Sequence, residues 1–277
     1  MNQKMDHREV GRLWNANAET WTQLARAGYD TYRDAFNTPA FLALLPPVEG
    51  LLGLDIGCGE GSNTRLLAER GAHMTAVDIA EVFVRHAARM ETLSTADTGI
   101  GYGVASAVAL PFPGGAFDFA TGFMSFMDIP ETDCVLTEAC RVLKPGGFLQ
   151  FSITHPCFDT PHRRNLRDED GITYAIEVGG YFDSQQGEVM EWIFSSAPPE
   201  VTEGLPKFKV PRFTRTLSQW FNLLIETGFV IERVAEPRPS DTVVRRCSNV
   251  QDAQVVAYFL HVRARKPSLH HRERIDP

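Results

Sequence analysis

Apolar positions recur at helical spacing from about residue 8, where Trp14, Ala18, Trp21, Leu24 and Ala25 share one face. A second helical stretch from Tyr29 to Leu45 is closed by Pro46 and Pro47. From Leu51 the rhythm changes. Short apolar runs at 51–56, 73–77, 101–105, 117–121 and 147–154 alternate with helical stretches at 63–70, 80–93 and 131–143. Strands of this kind separated by helices specify a parallel sheet covered on both faces, an α/β fold. Residues 155–213 break the alternation with Pro, Gly, Arg and aromatics, and read as an inserted lid. Within it a hairpin is expected between 172–182 and 188–194 across a turn at 183–187. The alternation resumes with a helix at 217–227, capped by Gly228, and strands at 229–235 and 254–265. The expected organisation is a helical cap (1–50), a core (51–154), a lid (155–213), the rest of the core (214–266) and a charged tail (267–277).

Charge narrows the classes of partner. The 277 residues carry 27 Lys+Arg against 35 Asp+Glu, a net charge of −8, and no basic stripe long enough to follow a phosphate backbone, so no nucleic-acid partner is expected. No apolar run approaches the roughly 20 residues that span a bilayer, and the first residues are polar, so neither a membrane partner nor export is expected and the protein reads as cytoplasmic. Five cysteines at 58, 134, 140, 157 and 247 show no Cys-x-x-Cys spacing, which fits free thiols and no metal site.

The chemistry concentrates where the first strand meets the first core helix: Leu54-Asp55-Ile56-Gly57-Cys58-Gly59-Glu60-Gly61. Glycines at 57, 59 and 61 let a ligand approach the backbone. A dinucleotide fingerprint would need its third glycine at position 62, which is Ser62, and the acids Asp55 and Glu60 would repel a pyrophosphate. A cofactor that is cationic and free of phosphate suits the loop better. Seventeen residues after Gly61, at the end of the second strand, Asp78 is placed to accept hydrogen bonds from a ribose diol.

Loop and acid together, with Leu110-Pro111-Phe112 before Phe117-Asp118 and with Arg141-Val142-Leu143-Lys144-Pro145-Gly146-Gly147, resemble the class I S-adenosylmethionine-dependent methyltransferases, of the type 11 kind. The resemblance implies a Rossmann-like sheet of seven mostly parallel strands, the last antiparallel, and S-adenosylmethionine as cofactor. It implies that Gly57, Cys58, Gly59 and Gly61 line the methionine moiety with Asp55 near its ammonium, that Asp78 binds the ribose, and that Ile79 packs on the adenine. Ser106-Ala107-Val108 stands where relatives often carry an acid beside the adenine amino group. Phe123, leaving the fourth strand, joins the cofactor set. Residues 123–128 lack the Asn/Asp-Pro-Pro-Tyr/Phe signature of nucleic-acid and glutamine methylators.

Ligands on open parallel sheets sit beyond the carboxyl ends of the strands. His155, just after the fifth strand, is therefore the expected general base, the other reading being a cap on the strand end. Arg33 on the helical cap is expected to pair with the methionine carboxylate, or else to be a surface helix arginine. Trp21, Tyr29, Tyr32, Phe126, Tyr181, Trp192 and Arg212 are the candidates for acceptor contact, with packing as the alternative for the aromatics. The expected function is methyl transfer to an O or N atom of a small-molecule acceptor, in secondary metabolism, by a monomer or homodimer. A cofactor-binding sensor without turnover is the competing reading.

Overall fold

The computed structural model describes residues 5–93 and 98–268. The expected tail therefore lies, from 269 onward, outside the described residues. Helix α1 (His7–Arg26) opens at Asp6, whose carboxylate accepts from the Arg8 and Glu9 backbone N–H groups. A π-helical turn (Arg33–Asn37) runs into α2 (Thr38–Leu44). The sheet then begins with β1 (Leu52–Ile56), α3 (Ser62–Ala68), β2 (His73–Asp78), α4 (Glu81–Leu93), β3 (Gly101–Val104), β4 (Phe117–Phe123), α5 (Thr132–Val142) and β5 (Leu143–Thr154). After the insertion come α7 (Leu217–Glu226), β10 (Val230–Ala235), α8 (Asp241–Arg246) and β11 (Phe259–Arg265).

Seven strands form one sheet in the order β10-β11-β5-β4-β1-β2-β3. Strands β1 to β5 pair in parallel, and β11 runs antiparallel between β5 and β10. The seven-stranded α/β architecture is the one the sequence implies. The final strand is shorter than expected, because residues 248–254 wind into a 3-10 helix before it.

Each sheet face is covered. On one side Leu136 and Ala139 of α5 and Trp220 and Leu224 of α7 pack on Leu149, Phe151 and Val262. On the other, Leu67 of α3 joins Met74, Phe119 and Phe148. These strands are apolar on both faces because both are buried, which is why they read as runs and not as alternations. Among the described residues no helix is long and apolar enough to cross a membrane.

The insertion contains two hairpins, paired differently from the expectation. Strand β6 (His162–Arg167) pairs with β7 (Thr173–Gly179), and β8 (Gln186–Trp192) with β9 (Phe208–Phe213). Residues 172–182 thus pair backward and 188–194 pair forward, past the short helix α6 (Pro199–Thr202). The reason lies at Asp168, whose Oδ1 accepts from the Asp170 and Ile172 N–H groups and closes a turn that fixes the first hairpin. The second hairpin is fixed from a distance: the Asn17 side chain of α1 makes two 2.9 Å hydrogen bonds with the backbone of Lys209, donating to its O and accepting from its N.

Candidate functional site

The chain leaves β1 for β2 and β3 on one side and returns to β4 and β5 on the other, so β1 and β4 flank the point where strand order reverses. A crevice forms there beyond the carboxyl ends. It holds a cavity of about 630 Å³, roofed by α1 and the second hairpin.

The loop after β1 forms the inner wall. Gly57 has φ of +75° and a Cβ on it would lie 2.5 Å from the Ser125 Cβ, so only glycine fits. Gly59, at φ +54°, faces open space, with no atom within 4 Å of where a Cβ would stand. Cys58 also lines the wall, and burial pushes its thiol well above the usual range. Gly61 is off the wall, packed against Tyr102, Arg65 and Ala87.

Asp78 is buried on the cavity wall at the end of β2, its carboxyl pushed up to about 6, chiefly by desolvation. One oxygen accepts from Gly59 N at 2.9 Å and the other from Ala80 N at 2.8 Å. Each oxygen keeps acceptor capacity toward the cavity. Ile79, Ser106 and Ala107 continue the wall, and α1 crosses close above Ile79 at Gly11, where a Cβ would come within 2.9 Å of that side chain. Val108 does not reach the wall.

Two expected site residues are turned away. Asp55 is buried inside the sheet, where its oxygens accept from Thr64 Oγ1 at 2.6 Å and Thr121 Oγ1 at 2.9 Å. It braces β1 against α3 and β4 and does not line the cavity where an ammonium would lie. His155 is buried with both ring nitrogens engaged: Nδ1 accepts from Cys157 N at 3.2 Å, so Nε2 carries the hydrogen and donates to Glu236 Oε1 at 2.8 Å. Burial holds this imidazole below its usual range despite that carboxylate. Thr154 and Pro156 face the cavity while His155 between them does not, as strand alternation requires. The geometry is that of a strand-end brace.

The roof brings together most of the aromatic candidates. Trp21 sits against Trp192, Phe194 and Phe208 with centroids 5.5, 4.9 and 4.7 Å away, so it lines the cavity and packs the roof at once. Tyr29, Tyr32 and Tyr181 also line it. Tyr32 stacks on Tyr258 at 5.2 Å and its hydroxyl donates to Asp252 Oδ1, and Tyr181 accepts from Leu217 N at 2.8 Å. Phe123 lines the floor, edge-on to Phe41. Phe126 does not: its ring is fully buried against Phe151 and lies over Gly122, where a Cβ would come within 2.4 Å of it.

Arg33 reaches the cavity from the π-helical turn, with Nε 2.7 Å from Asp34 and 3.7 Å from Asp30. Asp30, beside it on the wall, was not foreseen; burial pushes its carboxyl up to about 6 while Arg33 pulls it down. Glu60 is buried at this end, paired with Arg26 and Arg65 at 3.0 Å. Farther along, Met124 holds the left-handed conformation at φ +53° directly after β4, a strained backbone at the strand end.

A loop that opens glycine backbone to a cavity beside an acid at the end of β2 defines, on this fold, a class I S-adenosylmethionine-dependent methyltransferase domain. Residues 54–151 match the family described as a methyltransferase domain. It is 29% identical over 232 residues to 27-O-demethylrifamycin SV methyltransferase of Amycolatopsis mediterranei, covering 78% of this chain and 83% of that one. It is 33% identical over 124 residues to fatty-acid O-methyltransferase of Mycolicibacterium smegmatis, where the match covers 44% of either chain. Among solved structures it is similar to an S-adenosylmethionine-dependent methyltransferase from Mesorhizobium loti, with a TM-score of 0.65 and 28% identity over 82% of this chain and 96% of that one. The residues on the wall fit the family's cofactor: bare backbone at Gly59, a two-oxygen acceptor at Asp78 and an Arg33/Asp30 pair of opposite charge.

Proposed function

We propose that the protein transfers a methyl group from S-adenosylmethionine to an oxygen or nitrogen atom of a small-molecule acceptor. The observation that carries this reading is the single cavity that runs from Gly59 and Asp78 to the aromatic roof of Trp21, Trp192 and Phe194, with room for a second molecule beside the cofactor. The likeness to 27-O-demethylrifamycin SV methyltransferase over most of the chain supports reading the acceptor as a secondary metabolite.

The cofactor, when bound, supplies an electrophilic methyl group. Asp78 would hold its ribose, Gly57 and Gly59 its methionine stem, Arg33 and Asp30 the two charged ends of that stem, and Ile79 with Ala107 its adenine. In-line displacement on such a carbon gains chiefly from positioning and from exclusion of water. Both come from the roof, since α1 is tied to the second hairpin through Asn17 and Lys209.

Calorimetric titration with S-adenosylhomocysteine, followed by an assay of label transfer from methyl-labelled S-adenosylmethionine, tests the reading. Saturable binding and labelled product are expected. Binding without any product across hydroxyl, carboxyl and amine acceptors would make the protein a cofactor sensor, and no binding would refute both readings.

A further inference from the structure

The acceptor end of the cavity contains one carboxylate for which the packing gives no purpose. Asp128 ends the 3-10 turn Phe126–Asp128 after β4 and faces the cavity. No hydrogen bond or ion pair among the described residues reaches its side chain. The segment around it is held by the backbone: Asp128 N donates to Ser125 O at 3.2 Å, and Ser125 Oγ donates to Ile56 O at 2.8 Å, at the end of β1.

Two charged groups act on it. Arg212 projects from β9 in the roof, and Asp159 lies in the segment after β5. Arg212 does not close on Asp128. Its Nη2 is held by Asp159, 2.8 Å from Oδ1 and 3.3 Å from the backbone O. Arg215, next along the same wall, donates to Pro130 O at 2.6 Å and leaves its buried Nη1 without a partner. Met127, Ile129, Phe213 and Trp220 supply apolar surface to the same cavity, which His7, Arg163, Tyr181 and Thr214 also line.

What the unpartnered carboxylate suits is an acceptor that must shed a proton: a neutral hydroxyl on an apolar body adds no charge to this mixed wall and loses its proton as its oxygen is alkylated.

We propose that Asp128 is the general base for a hydroxyl-bearing acceptor, with Arg212, anchored by Asp159, as the positioning residue whose charge favours its carboxylate form. This deepens, and rests on, the methyltransferase reading. In the step, the acceptor O–H proton passes to an Asp128 oxygen as the acceptor oxygen bonds to the methyl carbon. The carbon–sulfur electron pair stays on sulfur, and the products are a methyl ether, S-adenosylhomocysteine and a protonated carboxyl that yields its proton to solvent. Desolvation pushes the Asp128 carboxyl up to about 8, Asp159 adding to the rise and Arg212 opposing it, which puts its basicity near that of the task.

The test uses the whole protein, methyl-labelled S-adenosylmethionine and three probes: 2,3-dimethylhydroquinone, myristate and tyramine. Label is expected on the hydroquinone. Asp128→Asn is expected to lower kcat for it at least about 100-fold, with KM and the calorimetric Kd for S-adenosylhomocysteine within about threefold of the parent. Arg212→Gln removes the cation that opposes protonation, so the acidic limb of its rate profile should move to higher pH, with Arg212→Lys restoring it in part. In the unloaded protein, carbon-13 spectra of labelled aspartate should show one carboxyl titrating near 8 that vanishes in Asp128→Asn and moves upward in Arg212→Gln. An Asp128→Asn kcat within tenfold of the parent, a carboxyl titrating in the ordinary range, or label on myristate or tyramine and none on the hydroquinone would each overturn the proposal. If the parent does not bind S-adenosylhomocysteine at all, the methyltransferase reading itself has failed, a result the calorimetry distinguishes from failure of the base alone.

Discussion

Asp78→Asn isolates the feature on which cofactor binding depends most. The Asp78 oxygens already hold the N–H groups of Gly59 and Ala80 and have acceptor capacity left for a ribose diol. Asparagine keeps the size but replaces one oxygen with a donor, which then confronts one of those two N–H groups and can accept nothing from the sugar. Hydrogen bonds to a charged acceptor are worth about 1.5–3 kcal/mol each, so losing one and leaving the other on a neutral oxygen costs about 2–3 kcal/mol, or roughly 30- to 150-fold in Kd. Stability moves differently. The carboxyl is raised in the fold from 3.8 to about 6, so its contribution is fully present below 3.8 and is lost as pH rises through 6. Near neutral pH the buried charge therefore costs about 3 kcal/mol, which asparagine avoids while giving up one backbone hydrogen bond of similar size. The unfolding free energy should change by only about 1 kcal/mol while affinity collapses. Parent affinity should also weaken about fivefold between pH 6 and pH 5 as the acceptor is protonated, and the variant should be flat. Calorimetry with S-adenosylhomocysteine across that range, beside urea unfolding, checks both. A variant Kd within about threefold of the parent, or a parent Kd indifferent to pH, would refute the ribose role of Asp78.

Three further outcomes are expected. His155→Ala should cost about 1–3 kcal/mol of stability by urea unfolding, because Cys157 N and Glu236 lose their partner, while methyl transfer falls by less than about tenfold; a hundredfold fall at parent stability would return His155 to the chemistry. His261 is buried on Asn37, and desolvation lowers its imidazole from 6.5 to about 4, so the unfolded chain binds the extra proton between those values. Its share of stability, about 3 kcal/mol, is complete above pH 6.5 and disappears as pH falls toward 4. Asp78 runs the opposite way over part of that range, so the difference between parent and His261→Gln unfolding curves is the quantity to measure. Gly57→Ala combines a left-handed backbone with a 2.5 Å clash and should destabilise by about 3 kcal/mol or more. Gly59→Ala meets open space, so it should cost only the 1–2 kcal/mol or so of the backbone yet weaken S-adenosylhomocysteine binding at least about tenfold. Thermal unfolding and calorimetry of the two variants separate these effects.

What the sequence reveals and what it withholds divide along one line. Strands buried on both faces are written as apolar runs, so the sheet from Leu52 to Thr154 could be read directly, as could the glycine loop and Asp78, whose chemistry depends on spacing along the chain. The hairpins of the insertion could not be paired because their partners are chosen by the Asp168 turn and by Asn17, nearly two hundred residues from Lys209. Which way a side chain leaves a strand end is likewise invisible in composition. His155 had the right chemistry at the right height and points away, and Asp55 had the right charge and is spent inside the sheet. Asp30 and Asp128 carried no motif at all. They become notable only once the fold places them on a cavity wall with few or no partners.

The roof explains why the two halves of the site belong to one device. Helix α1 touches the cofactor end at Gly11, above Ile79, and the acceptor end at Trp21, against Trp192. It is bound to β9 through Asn17 and Lys209, and β9 three residues later presents Arg212 to Asp159. Arg212 is also the cation that acts on Asp128. The helix that covers the cofactor end and the strand that sets the charge beside Asp128 are thus one connected structure, so exclusion of water and the charge at the acceptor end rest on the same packing.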